Sequence, residues 1–219
     1  MSEFVIHSIP GSPFGRAVLI ALEEKSAPYR LVPLALGSHR APEHLARHPF
    51  GRVPVLEHGD FRLYETQAII RYVDRVLSTP SLTPAQPQAA ARMDQLMNIN
   101  DWYLFHGVAN VIAFQRIVRP RLTGKPPDEA DIAAAMPKAR AVFDELALQL
   151  GNSRFFVGET LSLADVLLAP QLDFLKATPE WEALTAEHLN LVKWLERMNE
   201  RSSMAATTWE RVAQMSRAA

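Results

Sequence analysis

A proline-rich segment divides the sequence into two parts with different folding patterns. Residues 78–88, STPSLTPAQPQ, hold three prolines and no helical or strand periodicity, which is typical of a segment that links domains. Before it, signals for strands and helices alternate; after it, every strong signal is helical. We therefore predict an α+β protein of two domains: a mixed domain over residues 1–78, a linker over 79–88 and an all-helical domain over 89–219.

The first domain begins with a strand, a helix and a second strand. Residues 4–9, FVIHSI, form a short apolar run typical of a buried strand, and residues 14–25 place apolar side chains at helical spacing. Residues 29–34 form the second strand, in which Pro33 cannot donate a ladder hydrogen bond, so we expect this strand at a sheet edge. This order and length indicate a parallel βαβ unit.

The remainder of the first domain reads as a short helix, a β-hairpin and a third helix. The hairpin spans residues 53–64, with a turn over 57–60, EHGD. In the second domain, one long helix is predicted from Ala89 to Val118, with Pro120 closing it. Ser162 and Asp165 stand later at capping-box spacing, S-x-x-D, where a further helix begins.

Composition excludes several classes of function. The chain has 219 residues and a formal net charge of −1, so no electrostatic case exists for binding nucleic acid or an anionic membrane. No apolar run reaches the roughly 18 residues of a membrane span. The first ten residues lack the basic start and apolar stretch of a signal peptide, so a cytoplasmic location is expected.

The sequence contains no cysteine. Disulfide frameworks, cysteine-bearing zinc sites and mechanisms that use a protein thiol are therefore excluded. Any sulfur chemistry must use a sulfur that arrives with the substrate. The seven histidines show no metal-ligand spacing, so no metal is expected.

Three segments resemble glutathione S-transferases, in particular the serine-type phi and theta-like classes. They are PGSPFGRAVLIALEEK (10–25), HPFGRVPVLEHGDFRLYETQAIIRYV (48–73) and FVGETLSLADVLLAP (156–170). Their order and spacing cover nearly the whole chain. The resemblance implies a thioredoxin-like first domain that binds glutathione and a helical domain that shapes the pocket for a second substrate.

Ser12 is the candidate catalytic residue. It lies at the turn from the first strand into the first helix, where unpaired N–H groups and the helix dipole favour an anion. The resemblance implies that the Ser12 hydroxyl donates to the sulfur of glutathione. The alternative is that Ser12 only caps the helix.

The resemblance implies a glutathione site built from three other segments. A cis bond before Pro54 would present the backbone of Val53 to the cysteinyl part of glutathione, and Glu65 and Thr66 would hold the γ-glutamyl arm. The family most often has serine where this chain has Thr66. Basic residues would meet the glycyl carboxylate or help to hold the peptide: His39, Arg40 and Arg52.

Residues from the predicted fourth helix, together with one aromatic residue from the first helix and one from the C-terminal helix, are candidates for the second-substrate pocket. Aromatics at helical spacing are more often core, but several of them in a cleft would indicate an apolar or aromatic electrophile. The candidates for this pocket are Phe14, Tyr103, His106, Asn110 and Trp209.

These observations predict a glutathione S-transferase that forms a homodimer through its third and fourth helices. Phe50 is a candidate apolar contact with the partner, or else a local core residue. One alternative is a glutathione-dependent isomerase, dehalogenase or ether-cleaving enzyme on the same fold. The zeta-type isomerase pattern, Ser-Ser-Cys, is absent here, since residues 11–13 are Gly-Ser-Pro. A second alternative is an interaction module of the same fold without turnover.

Overall fold

The computed structural model describes residues 2–218, with side chains up to residue 215. Within these residues, one four-stranded mixed sheet has the strand order β2-β1-β3-β4. The strands are β1 (Phe4–Ser8), β2 (Tyr29–Pro33), β3 (Val55–His58) and β4 (Phe61–Tyr64). β1 pairs in parallel with β2 and antiparallel with β3, and β3 pairs antiparallel with β4. The βαβ unit, the hairpin and the edge position of the Pro33 strand are thus as predicted.

Two longer helices complete the core of this first unit. Helix α1 (Pro13–Glu24) connects the parallel strands, and α3 (Thr66–Val76) follows the hairpin and packs against α1. A 3₁₀ turn (Ser38–Arg40) and the short helix α2 (Pro42–Leu45) lie between β2 and β3. The core is mainly apolar, with fully buried side chains from β1, β3 and α3 that include Ile6, Val55, Leu56, Ile69, Ile70 and Val73.

The helical unit differs from the prediction in its first part. The predicted helix over 89–118 is divided into α4 (Pro87–Ile99), a π-helical segment (Asn100–Ala109), α5 (Asn110–Ala113), a second π-helical segment (Phe114–Val118) and α6 (Arg119–Thr123).

Helical geometry breaks at His106, with ψ 113°, and at Gly107, with φ 81°. Lys138 donates to the carbonyl of His106, and Asn110 Oδ1 accepts from Gly107 N–H at 2.6 Å. These two side chains satisfy the backbone groups that the break releases. Pro120 does not close the helix, because it lies in the first turn of α6, where proline is tolerated.

The second part of the helical unit is organised around a buried carboxylate. Its helices are α7 (Glu129–Leu150), α8 (Leu163–Lys176), α9 (Glu180–Thr185) and α10 (Leu189–Asn199). The capping box predicted at the start of α8 is present. Fully buried Asp165 accepts from Ser162 N–H at 3.0 Å and from Ser162 Oγ–H at 2.8 Å. It also accepts from Phe156 N–H and from Trp194 Nε1–H, both at 2.9 Å. Four donors therefore compensate for the burial of this charge.

The last helices, α11 (Ser202–Ala206) and α12 (Trp209–Ala218), belong to the first unit. Residues up to Ser81 group with those from Glu200 onward, and residues 82–199 form the helical unit. The predicted helical domain, by contrast, continued to residue 219. Residue 1, the predicted start of the first domain, and residue 219, the predicted end of the helical domain, lie outside the described residues. The difference has a local cause, since Arg201 forms two 2.6 Å contacts with the Glu24 carboxylate on α1.

Candidate active site

Ser12 forms the turn between β1 and α1. Its Oγ accepts a hydrogen bond from Gly15 N–H at 3.2 Å, so Ser12 is the N-cap of α1. A hydroxyl that accepts a hydrogen bond keeps its own hydrogen for donation. The Ser12 side chain can therefore cap the helix and donate a hydrogen bond to a bound sulfur at the same time.

Two glycines allow the close packing of the Ser12 turn. A Cβ atom on Gly15 would lie 1.9 Å from Ser8 Oγ, so the first turn of α1 lies directly against the end of β1. Gly11 has φ +90°, a conformation that side chains disfavour. A Cβ atom on Gly11 would lie 2.9 Å from three ring atoms of Trp209. The indole of α12 thus covers the residue next to Ser12.

Arg16, one turn after Ser12, is turned toward the C-terminal segment. Its guanidinium donates to the carbonyl of Met204 at 3.2 Å. This contact links α1 to α11.

The Val53–Pro54 peptide bond is cis, as the resemblance implied. Val53 is half-buried and Pro54 is buried, while the side chain of Arg52 is exposed. The carbonyl of Arg52 accepts a hydrogen bond from His44 Nε2 at 2.7 Å. The backbone that enters the cis bond is therefore held from α2.

Glu65 and Thr66 lie at the start of α3. Glu65 is exposed and is the N-cap, with φ 72° and ψ 114°. A positive φ is rare for a residue with a side chain and is held only where the surrounding structure imposes it. Thr66 is the first helical residue and is only 6% exposed. Together they present a carboxylate, a hydroxyl and the free N–H groups of a helix start.

The basic loop lies in the 3₁₀ turn. Arg40 is exposed, and His39 is half-buried. Burial lowers the pKa of His39, and the neighbouring Arg40, His44 and Arg52 act in the same direction. His39 is therefore neutral near pH 7, and the guanidinium groups carry the positive charge of this loop.

The five candidates for the second-substrate pocket are divided between the two units. Phe14, half-buried in the first turn of α1, and Trp209, 38% exposed, belong to the first unit. Tyr103, 56% exposed, and His106 lie in the first π-helical segment of the other unit, and Asn110 follows it. The amide of Asn110 is already used to bind Gly107 N–H, which gives it a structural role that the sequence did not indicate.

Comparisons with known proteins identify the family. Residues 6–81 match the model described as glutathione S-transferase, N-terminal domain, and residues 108–202 match the model for the C-terminal domain. A probable glutathione S-transferase of Oryza sativa subsp. japonica, GSTF2, is 34% identical over 184 residues, which is 83% of this chain and 85% of the relative. The chain belongs to the glutathione S-transferase family.

Solved structures of glutathione S-transferases have the same fold. Glutathione transferase F7 from Populus trichocarpa superposes with a TM-score of 0.84 at 27% identity, covering 97% of this chain and 99% of that chain. Glutathione S-transferase I bound with lactoylglutathione gives a TM-score of 0.83 at 27% identity, with 98% and 100% covered. The resemblance inferred from three sequence segments is confirmed, as is the two-domain glutathione S-transferase fold.

Two further observations on this glutathione S-transferase concern metal binding and membrane spans within the described residues. Among residues 2–218, no group of three or more acidic or histidine side chains is arranged to hold a metal ion. None of the helices in that range is long and apolar enough to cross a membrane.

His44 and His48 were not among the site residues predicted from the sequence. In this glutathione S-transferase both are buried, and His44 contacts the backbone next to Val53. Their spacing of four residues places them one helical turn apart, which was the available signal.

Proposed function

We propose that this protein binds reduced glutathione, ionises its thiol with Ser12 and directs the thiolate to an electrophilic carbon. The observation that carries the proposal is the position of Ser12 at the start of α1, with its hydroxyl at the helix N-terminus. The glutathione conjugate bound to a related solved structure supports glutathione as the thiol substrate.

Ser12 would lower the pKa of the bound thiol by donating a hydrogen bond to its charged form. A free thiol has a pKa of about 8.5, and lowering it by two units requires roughly 2.7 kcal/mol of preferential stabilisation of the thiolate. A hydrogen bond to a charged group contributes about 1.5–3 kcal/mol, and the helix N-terminus adds to it. The two together supply the necessary free energy. The thiol proton is released to solvent.

The tripeptide would lie along the three segments described above. The backbone of Val53 before cis-Pro54 would pair with the cysteinyl residue in the manner of an added strand. Glu65 would take the γ-glutamyl ammonium, and Thr66 with the N–H groups at the start of α3 would take its carboxylate. Arg40 would meet the glycyl carboxylate, with His39 and Arg52 beside it.

In the chemical step, the sulfur–carbon bond forms as the leaving group departs with its electron pair, or as electrons move onto a conjugated acceptor. The protein contributes the thiolate and the orientation of the two reactants. The proposed residues for the second substrate are Phe14, Tyr103, His106, Asn110 and Trp209, and from the aromatic rings of Phe14, Tyr103 and Trp209 we infer an apolar or aromatic electrophile. Conjugation of such molecules is a detoxification reaction. We propose that the enzyme is cytoplasmic and that it acts as a homodimer.

Two measurements test this function. Calorimetry with reduced glutathione should show one site per subunit, with a dissociation constant in the micromolar to millimolar range. A panel of activated aryl halides, α,β-unsaturated carbonyls and epoxides should then give conjugates detectable by mass. Absence of heat and of thermal stabilisation at about 10 mM glutathione would contradict the assignment. Binding without turnover on any electrophile would favour the interaction module instead.

A further inference from the structure

Two buried histidines adjoin the segments proposed to contact glutathione. His44 lies on α2 and His48 one turn further along the chain, and each is only 2% exposed. Their ring centroids are 6.3 Å apart in a stacked arrangement. Burial of two imidazoles side by side is unfavourable unless each has partners, and the partners of this pair lie on both sides of the proposed site.

His44 holds the peptide group that precedes Val53. Its Nε2 lies 2.7 Å from the carbonyl oxygen of Arg52. Because a carbonyl only accepts hydrogen bonds, Nε2 carries the hydrogen and donates it. The contact therefore fixes the plane of the Arg52–Val53 peptide, whose orientation determines where the backbone groups of Val53 point.

His48 supports the other side of the site. Its ring packs against Tyr64 with centroids 4.6 Å apart, and Tyr64 directly precedes Glu65 and Thr66. Its Nδ1 accepts from Phe50 N–H at 3.4 Å. Burial lowers the pKa of His48, and the neighbouring His44 and Arg52 act in the same direction, which is consistent with a neutral ring that accepts at Nδ1.

The basic loop is attached to the same pair through Gly51. The carbonyl of His48 accepts from Gly51 N–H at 2.9 Å. Gly51 has φ +58°, and a Cβ atom there would lie 3.2 Å from the carbonyl oxygen of His39. Gly51 thus lies directly against the backbone of the loop that carries His39 and Arg40.

We propose that His44 and His48 are positioning residues for glutathione, which hold the Arg52–Val53 peptide and the turn at Tyr64–Glu65 in the relative arrangement that the tripeptide requires. The inference rests on the proposed function, because it concerns the same site. Neither histidine touches the sulfur in this scheme. Their loss should weaken the binding of glutathione and leave the chemistry at Ser12 intact.

The decisive comparison is between His44→Leu and His44→Gln. Leucine fills a similar volume without a donor, whereas the amide nitrogen of glutamine reaches about as far as Nε2. We expect His44→Leu to raise the dissociation constant and the KM for glutathione about 5- to 30-fold, as for one unmade hydrogen bond to a buried carbonyl. The kcat at saturating glutathione and the pKa of the bound thiol should be unchanged, and His44→Gln should restore most of the affinity.

For His48, the matched pair is His48→Phe and His48→Ala. Phenylalanine keeps the ring that packs on Tyr64, so the KM for glutathione should rise far less than with alanine. The control is His58→Leu on β3, which removes a 2.8 Å hydrogen bond to Tyr72 Oη and should lower stability without changing the KM.

The outcomes separate the inference from the function on which it rests. Wild-type affinity for glutathione in His44→Leu, or equal losses of kcat and affinity in every His44 variant, overturns the positioning role while the transferase assignment stands. If His44→Leu does not fold, His44→Gln against His44→Asn, whose amide is one methylene shorter, gives the same test. A wild-type protein that neither binds glutathione nor forms conjugates overturns both.

Discussion

The indole of Trp209 covers Gly11, so closely that a methyl group on Gly11 would lie 2.9 Å from three of its ring atoms. Gly11 directly precedes Ser12, and the indole is therefore positioned as an apolar wall near the sulfur in the proposed site. Trp209 remains 38% exposed, which leaves part of its ring available to a second substrate.

Replacing Trp209 should alter the use of aromatic electrophiles. We expect Trp209→Ala to raise the KM for a flat aromatic electrophile about 2- to 12-fold, the range for one lost aromatic contact. The dissociation constant for glutathione should not change, and Trp209→Phe should recover part of the loss. Steady-state kinetics with the electrophile varied would measure its KM, and calorimetry would measure the dissociation constant for glutathione. Phe61→Ala removes an exposed ring from β4 and should leave both constants unaltered; a matching effect in that control would argue against a specific role for Trp209.

Ser12→Ala should separate binding from activation of the thiol. Loss of one hydrogen bond to the thiolate should lower the rate near neutral pH roughly 10- to 150-fold. The pKa of the bound thiol should rise, while affinity for glutathione changes little. The pH–rate profile and calorimetry measure these quantities.

Ser12→Cys is the complementary variant, because its thiol would be the only one in the protein. At a helix N-terminus this thiol should ionise below about pH 8.5 and form a mixed disulfide with oxidised glutathione. Intact mass would detect the adduct. If no adduct forms and the alanine variant retains full activity, Ser12 acts only as a helix cap.

Asp165→Asn should destabilise the helical unit. Burial raises the pKa of Asp165, against the opposing effect of its four donors. An amide would place its own NH₂ group against one of those donors, so we expect a loss of roughly 3–5 kcal/mol in the free energy of unfolding. Asp173→Asn, on the same helix but half-exposed, should cost far less. Denaturant titrations of the two variants provide the comparison, and equal midpoints would refute a central role for Asp165.

Stability should decline as the pH falls below about 6.5, in part because of His7. Burial lowers the pKa of His7 below its ordinary value of 6.5, despite the nearby Glu57. The unfolded chain therefore binds a proton at a pH where folded His7 does not, so the contribution is complete above pH 6.5 and lost progressively below it. The slope from one such group is at most about 1.4 kcal/mol per pH unit. Denaturant titrations between pH 8 and pH 5.5 should show a shallower slope in His7→Gln.

Phe50 provides a test of the proposed homodimer. Its ring is 70% exposed and contacts Tyr64 edge-on, with centroids 6.3 Å apart. At this exposure Phe50 is not a core residue, and because single exposed apolar side chains are common on protein surfaces, the Phe50 variant decides whether this ring is part of an interface. Light scattering at micromolar concentration should give a dimer for the wild-type protein and a substantial monomer fraction for Phe50→Ala. A wild-type monomer would exclude this assembly.

Local patterns predicted those features that depend on neighbouring residues. Pro33 predicted an edge strand because proline lacks a donor, and the spacing of Ser162 and Asp165 predicted a helix start because both bonds lie within one turn. Features that depend on distant residues did not follow from the sequence. The break at Gly107 is stabilised by Lys138, and the carbonyl of Arg52 is held by His44; no periodicity reports such contacts.

The residues of the candidate site were predictable from local motifs, whereas their backbone conformation and some of their contacts were not. Ser12, Val53–Pro54 and Glu65–Thr66 were identified by their motifs, but the positive φ of Glu65 was not, because glutamate has no preference for that conformation. The role of Asn110 at Gly107 was missed for a related reason, since the helix there was expected to be continuous.

The assignment of α11 and α12 to the first unit has a consequence for biosynthesis. Residues from 200 onward leave the ribosome only after the whole of residues 82–199, so the N-terminal unit is translated first and completed last. The burial of Met204 and the 2.6 Å contacts between Arg201 and Glu24 cannot form until residues 82–199 have been synthesised. Until they do, α1 lacks the cover that α11 gives it in the folded protein, and an incompletely packed unit of this kind is more exposed to misassembly during synthesis.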